Sequence, residues 1–189
     1  MKYLVLILFF TISTFSQEIK NDSVQVELFN HANLCLDFKD NKNAYLSFKK
    51  AYYLDSSSDL ALLVYKKIDS LNRILKATFL KDISGKWEIV YSGSNWGISK
   101  EKVGLVTIKN SDISFDFYDK SNSLKSLKLN LMLDDFLNYS FNEFILDDNS
   151  LWSFKLKDEK LYISELGEKT EEGRSLMVCG NFFMECIRK

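Results

Sequence analysis

The sequence predicts an α+β fold in which a helical hairpin and a capping helix precede an antiparallel up-and-down β-barrel. Apolar residues recur at helical spacing from Val26 to about Phe79, whereas from Gly85 onward they alternate with polar residues. Short polar segments of turn composition separate the alternating stretches. At 189 residues the chain is long enough for two small domains. We therefore expect a helical region at 17–80 and a barrel at 81–189.

The first sixteen residues have the pattern of a cleaved secretory signal. Lys2 gives a cationic start, residues 4–12 form an apolar run too short to span a bilayer, and Thr14 and Ser16 place small residues before Gln17. We expect cleavage after Ser16 and a secreted or periplasmic mature protein. A retained anchor or a buried strand is the alternative for this run. No later apolar run is long enough to span, so we expect no transmembrane anchor.

Residues 17–80 predict three amphipathic helices. Apolar positions spaced by three or four residues fall into three groups: Leu28, Ala32 and Cys35; Ala44, Phe48 and Ala51; Val64, Ile68, Leu71 and Leu75. Polar segments at 39–43 and 55–59 can turn the backbone and cap the following helix. The third helix is expected from Asp59 to about Phe79.

Residues 32–58 resemble a single tetratricopeptide repeat, a helical hairpin with interlocking small and large residues. The positions that match the family's small and aromatic residues are Ala32, Ala44, Phe48 and Ala51. The segment departs from the family at Cys35, where an aromatic residue is usual, and at Ser56, where proline is usual. Only one repeat is visible, and such units normally stack on neighbours, so a plain helical hairpin is the alternative.

The second half predicts eight or nine strands. After Gly85, one face of the first strand carries Trp87, Ile89 and Tyr91, and the other carries Lys86, Glu88 and Val90. Further strands are expected at 103–109, 112–118, 124–133, 138–146, 150–157 and 160–166, with two short strands between 175 and 188. Tight turns favour an antiparallel meander, and closure into a barrel removes its exposed edges.

The ends of this half resemble the lipocalin and fatty-acid-binding-protein superfamily. Gly85-Lys86-Trp87 stands on the first predicted strand, and Cys186-Ile187-Arg188 stands on the last. The resemblance implies that Gly85 and Trp87 open the barrel and that Arg188 packs over the indole as a barrel-closing residue. The region departs from the family in being short, and residues 92–102 are too few for a helical lid.

Charge and histidine content bear on partners and chemistry. Lys and Arg total 25 against 26 Asp and Glu, so no basic field attracts nucleic acid, and we expect no nucleic-acid partner.

The single histidine, His31, lies in the helical region, which leaves a barrel nucleophile without an imidazole base. We therefore expect a non-catalytic protein without a cofactor.

Candidate metal ligands are few. His31 and Cys35 stand at i and i+4, but two ligands make no closed site, and a buried pair against the next helix is the favoured interpretation. The pairs Asp134-Asp135 and Asp147-Asp148 lack the alternating oxygen spacing of a calcium loop, and turns explain both. We expect no metal.

Three cysteines in an oxidising compartment leave at least one thiol unpaired. Cys179 and Cys186 are seven apart, so on one continuous strand their side chains point to opposite faces. A hairpin at Gly180-Asn181 would place Cys179 opposite Phe182 instead. Buried free thiols, Cys35 among them, are therefore favoured over a bridge.

Two functions remain open. In the first, the barrel holds a small apolar or amphipathic ligand, lined by Phe115, Phe117 and Trp152. In the second, the barrel is filled by its own side chains, and it or the helical surface docks an extracytoplasmic protein. Eight-stranded barrels are often only wide enough for their own side chains, which favours a filled or nearly filled interior.

Overall fold

The structure is a computed structural model that describes residues 23–94, 104–110, 112–118, 124–132, 139–177 and 181–189. Of residues 117, 118 and 124–132 it describes the backbone only. The predicted signal at 1–16 and its cleavage after Ser16 lie outside the described residues. Cys179 and the Asp134-Asp135 pair also lie outside them.

Three N-terminal helices are present, as the apolar spacing predicts. Helix α1 covers residues 23–37, α2 is Asn41–Leu54 and α3 is Asp59–Ile83. Asp40 caps α2, because its carboxylate accepts a hydrogen bond from the Asn43 backbone N–H at 3.1 Å. The Asp55 carboxylate accepts one from the Ser57 N–H at 2.8 Å and so turns the chain before α3.

Small residues on α1 and α2 lie in the core of the helical unit. Ala32, Ala44 and Ala51 are fully buried, and so is Phe48, whose ring lies edge-on to Phe29 at a centroid distance of 5.6 Å. Alanine at these positions allows close approach of neighbouring helices, since it adds only a methyl group.

Helix α3 is longer than the sequence predicts. It continues past Phe79 to Ile83, and β1 begins at Gly85. Ile83 is 1% exposed and belongs to the core of the sheet. Burial of this last apolar residue explains the extension, because the burial stabilises a further helical turn. Two compact units divide between Leu75 and Lys76, so α3 crosses the division.

Within the described residues, nine strands follow the helices. Their bounds are Gly85–Ser94 (β1), Gly104–Lys109 (β2), Asp112–Tyr118 (β3), Leu124–Met132 (β4), Glu143–Leu146 (β5), Ser150–Lys157 (β6), Lys160–Thr170 (β7), Gly173–Leu176 (β8) and Phe182–Arg188 (β9). Two bounds differ clearly from expectation: β5 begins five residues after 138, where a turn precedes it, and β7 continues four residues past 166 to pair with β8.

The strands form a curled, barrel-like antiparallel sheet. Its order is β6-β5-β4-β3-β2-β1-β9-β7-β8, with β6 also paired to β7. Strands β1–β6 and β9 therefore each pair with two neighbours, while β7 pairs with β6, β9 and β8, the last of which extends it as a hairpin. Strands β8 and β9 each pair with β7, and the hairpin considered at Gly180-Asn181 lies partly outside the described residues, which do not include Gly180.

A bulge in β1 corrects the predicted facing of Tyr91. The pairing of β1 with β9 shifts between Ile89 and Tyr91. An extra residue reverses the alternation from that point, so Tyr91 is 44% exposed and Ser92 is buried. Period-two alternation alone places Tyr91 inward beside Trp87 and Ile89, since a bulge leaves no pattern in the apolar spacing.

Candidate functional site

One end of the sheet, which we call the helix end, is organised around Trp87. The indole is fully buried, and its Nε1–H donates to the carbonyl oxygen of Ile83 at 2.7 Å. The guanidinium carbon of Arg188 lies 4.5 Å from the centre of the Trp87 ring. Arg188 also donates to the carbonyl oxygens of Asp82 at 2.7 Å and Ser84 at 3.2 Å. One arginine thus covers the indole and is held in place by its hydrogen bonds to two backbone carbonyls at the end of α3.

Gly85 stands where helix and strand meet under that arginine. Its φ of +135° is one that L side chains rarely adopt, and a Cβ there would lie 3.3 Å from Arg188 Nη1. A side chain at position 85 would therefore strain the backbone and crowd the guanidinium.

The interior next to Trp87 is filled by apolar side chains. The buried members of this core are Ile83, Trp87, Ile89, Val106, Ile108, Ile113, Phe115, Phe144, Leu146, Trp152, Phe154, Leu161, Ile163, Met184 and Cys186. Phe79 packs against it from α3, with its ring stacked on Phe144 at 6.3 Å between centroids.

The opposite end, which we call the rim, is where β1 ends at Ser94 and β9 begins at Phe182. Two predicted lining residues are in contact between the helix end and the rim: the ring centroids of Phe115 and Trp152 lie 5.4 Å apart. Phe182, which sequence reasoning did not single out, lies edge-on to Trp152 at 6.5 Å. The Trp152 Nε1–H donates to Ser150 Oγ at 2.8 Å. The side chain of Phe117 lies outside the described residues.

Carboxylates share the inner face with this aromatic group. Trp152 pairs directly with Glu165, and Ser150 with Glu168, across β6 and β7. Directly opposed residues of an antiparallel pair point to the same face, so Glu165 faces inward beside Trp152. A cleft of about 290 Å³ opens there, with lining residues that include Asp148, Ser150, Glu165, Glu168, Ser175 and Met177.

The electrostatics of this cleft are negative. Burial raises the pKa of the Glu165 carboxyl above its usual value, and the charge of Asp148 raises it further. Asp148 itself accepts hydrogen bonds from the backbone N–H of Ser150 at 2.9 Å and from its hydroxyl at 2.5 Å. This turn geometry agrees with the prediction that the Asp147-Asp148 pair forms a turn.

A buried acceptor without a donor lies at the same rim. Asn181 immediately precedes Phe182, and its side-chain Oδ1 is buried yet accepts no hydrogen bond from any part of the chain that the structure describes. Such an atom lacks the partner that buried polar groups normally have.

The described cysteines are free thiols. Cys186 is buried in the core, where burial, and then the neighbouring Glu185 carboxylate, raises the pKa of its thiol to about 12. Cys35 is half-buried on α1. A buried thiol with a raised pKa is a poor nucleophile, because the thiolate is the reactive form.

His31 is exposed rather than part of a buried pair. Its Nδ1 lies 3.0 Å from Ser47 Oγ on α2 and 3.8 Å from Cys35 Sγ. The ring thus contacts the next helix, as expected, but the residue remains exposed to solvent. Within the described ranges, no group of three or more His, Cys, Asp or Glu side chains could hold a metal ion.

Comparison with protein-family models, with curated proteins and with solved structures finds no match for this chain. Among the helices that the structure describes, none is both long and apolar enough to cross a membrane. The fold defines the class of protein: an α+β protein with three N-terminal helices and a curled, barrel-like antiparallel sheet.

Proposed function

We propose that this chain is a secreted or periplasmic, non-catalytic binding protein that holds a small apolar or amphipathic molecule at the rim of a lipocalin-like barrel. The observation that carries the proposal is the inward group of Phe115, Trp152 and Phe182 beside the cleft at the rim. Apolar pockets with a few polar groups are the usual form of a small-molecule site.

The helix end supports the lipocalin-like assignment. Gly85 and Trp87 open β1, and Arg188 of the last strand covers the indole, which is the arrangement that the resemblance implies. The end of α3 places Ile83 in the same core. We accordingly assign structural roles to Trp87, Gly85 and Arg188. The ligand is assigned to the rim, at the opposite end of the sheet.

The position of the ligand follows from what is already filled. The core side chains around Ile108 and Phe154 are almost fully buried by one another, so they leave little exposed surface for a ligand. Phe182 is only partly buried at the rim. A ligand that covers Phe182 removes apolar surface from water, and each Å² removed contributes about 25 cal/mol of favourable free energy.

Solvent extraction tests this proposal. We expect purified mature protein to release a lipid or other apolar molecule in stoichiometric amount, and Phe182→Ala to release much less. Phe183→Ala is the matched control, because Phe183 contacts the exposed Tyr91 on the outer face at 5.5 Å between centroids. Extracts without any bound molecule, together with no saturable binding of an added apolar dye, would refute it.

The filled core favours a second candidate, an interaction module. In this alternative the barrel is a rigid support, and a tetratricopeptide-like helical unit, supported by the buried Ala44, Phe48 and Ala51, docks an extracytoplasmic protein. Phe38 on that unit is 77% exposed. Crosslinking in an extracytoplasmic extract, lost in Phe38→Ser but kept in Phe182→Ala, would support this candidate over the first.

A further inference from the structure

We propose that the solvent-facing side of α2 and α3 binds the surface of an anionic phospholipid bilayer, with leucine and tyrosine side chains entering the interface and lysines contacting the headgroup phosphates. We call this side the tyrosine–lysine face and define it by Leu46, Lys50, Tyr53, Leu62, Tyr65 and Lys66, all of which are exposed. The inference goes beyond the proposed function, because it concerns the helical unit and not the rim.

Exposed apolar side chains form a connected group on this face. Leu62 of α3 is 65% exposed and Tyr53 of α2 is 61% exposed. The Tyr52 ring joins the two helices, because its centroid lies 5.8 Å from that of Tyr53 and 6.2 Å from that of Tyr65. Tyr65 in turn follows Leu62 by three residues, so the two are neighbours on the surface of α3. Grouped apolar residues of this kind mark protein or membrane interaction sites.

Lysines stand in the same rows as these apolar residues. On α2, Leu46, Lys50 and Tyr53 are spaced by four and three residues, so they follow one another along one side of the helix. On α3, Lys66 follows Leu62 by four residues. Neither lysine forms an ion pair with any residue in the part of the chain that the structure describes. Their charges are therefore available to an anionic partner.

The acidic residues of α3 and of the α2–α3 turn do not neutralise these lysines. Asp69 is paired with Arg73, with Nε and Oδ2 3.2 Å apart. The Asp55 carboxylate accepts hydrogen bonds from the backbone N–H and the hydroxyl of Ser57. Asp59 stands in the first turn of α3, where the positive end of the helix dipole offsets its charge. The tyrosine–lysine face therefore presents positive charge around its apolar group.

The residue types favour a bilayer over a protein or a nucleic acid as the partner. Protein interfaces are enriched in arginine but depleted in lysine, whereas both cations of this face are lysines. A lysine stem packs along apolar surface while its ammonium stays at the polar boundary, and tyrosine rings are enriched at membrane–water interfaces. The chain as a whole carries 25 basic and 26 acidic side chains, which is too little positive charge to hold a nucleic acid.

Vesicle co-sedimentation tests this inference on the unchanged mature protein. Vesicles of phosphatidylcholine alone and vesicles of an equal mixture of phosphatidylcholine and phosphatidylglycerol differ in surface charge. We expect the mature protein to bind the mixed vesicles about twentyfold more tightly, because each of two lysines near an anionic surface contributes about a fivefold gain. High salt should remove most of this gain, since it screens exposed charges.

A charge variant locates the electrostatic part of the binding. Replacing both Lys50→Gln and Lys66→Gln should weaken binding to the mixed vesicles about twentyfold and leave binding to phosphatidylcholine vesicles unchanged. The matched control replaces Lys86→Gln and Lys155→Gln, which are exposed lysines on the sheet, and should change neither affinity.

An apolar variant locates the insertion. Leu62→Ser should weaken binding to both kinds of vesicle about tenfold, because it removes an apolar side chain from the interface. Val90→Ser is the matched control, since Val90 is an exposed apolar residue on β1, and it should leave both affinities unchanged. All the replaced side chains are exposed, so the variants should keep the fold, which circular dichroism checks.

Three outcomes would overturn the inference: no binding to the mixed vesicles, equal binding to both kinds of vesicle, or unchanged binding by the Lys50→Gln and Lys66→Gln variant. Binding of a polyglutamate peptide without binding of vesicles would also overturn it and would assign the face to an acidic protein. Phe182→Ala, which tests the rim, should leave vesicle binding unchanged. Failure of ligand binding at the rim and failure of membrane binding by the helical unit are therefore distinguishable.

Discussion

Arg188 and Trp87 form one unit: the guanidinium carbon lies 4.5 Å from the ring centre, and the same guanidinium binds the backbone carbonyls of Asp82 and Ser84. This contact joins the last strand to the first strand and to the end of α3. It therefore couples the last strand to two adjacent segments far earlier in the chain, as the Arg188–Ser84 bond spans 104 positions.

A double-mutant cycle measures this contact. Trp87→Ala should lower the free energy of unfolding by about 3–5 kcal/mol, because it empties a fully buried aromatic site. Arg188→Ala should cost about 1 kcal/mol, since its guanidinium is exposed. The double variant should lose less than the sum, by at least about 0.5 kcal/mol. Additive losses in urea denaturation would show that the two side chains do not interact.

The helical unit depends on small residues at the contact between helices. Ala51 is fully buried, so Ala51→Phe should overpack the core and cost about 1–3 kcal/mol. Leu46→Phe on the same helix is the control, because Leu46 is 43% exposed and should change stability by less than about 0.5 kcal/mol. Thermal melting followed by helical circular dichroism distinguishes them. Equal melting temperatures would refute a packed Ala51.

The buried thiol makes stability depend on pH in a predictable direction. The Cys186 pKa rises from 9.0 to about 12 on folding, so the unfolded thiol ionises above pH 9 while the folded one keeps its proton. The free energy of unfolding should therefore fall as pH rises through 9, by about 1.4 kcal/mol at pH 10. Cys186→Ala should lack this component, although lysine and tyrosine titration affects both proteins. Parallel curves for the two proteins from pH 8 to pH 10 would contradict the prediction.

The division at Lys76 predicts where the β-rich unit can be separated. A fragment of residues 76–189 keeps Phe79 and Leu80, which pack against the core, whereas residues 81–189 lack both. Both should give circular dichroism dominated by β structure. The longer fragment should be more stable by at least about 1 kcal/mol, since it buries an additional aromatic side chain. Identical denaturation midpoints would mean that the end of α3 adds nothing to this unit.

The N-terminal pattern predicts a processing site. Mass spectrometry of the exported protein should find a mature chain that starts at Gln17, after the small residues Thr14 and Ser16. A Ser16→Tyr variant should slow or block cleavage, because the signal cleavage site requires a small residue there. Recovery of full-length chain from the cytoplasm would refute the secretory assignment.

The sequence by itself determined which residues form the helices and most of the strands. Ala32, Ala44 and Ala51 follow the helical period, and the strands from Gly104 to Lys157 largely follow the alternation, because those periods directly reflect backbone geometry. The Gly-x-Trp at 85–87 and Arg188 could also be singled out, since a resemblance supplied their relationship.

Tertiary structure alone decided which residues face the rim. The bulge after Ile89 turns Tyr91 outward, and the register of β6 on β7 places Glu165 beside Trp152. Neither fact is encoded in the period of one strand, because register depends on pairing between strands that are distant in sequence. For the same reason Phe182 was missed: its contact with Trp152 exists only after β9 has inserted between β1 and β7.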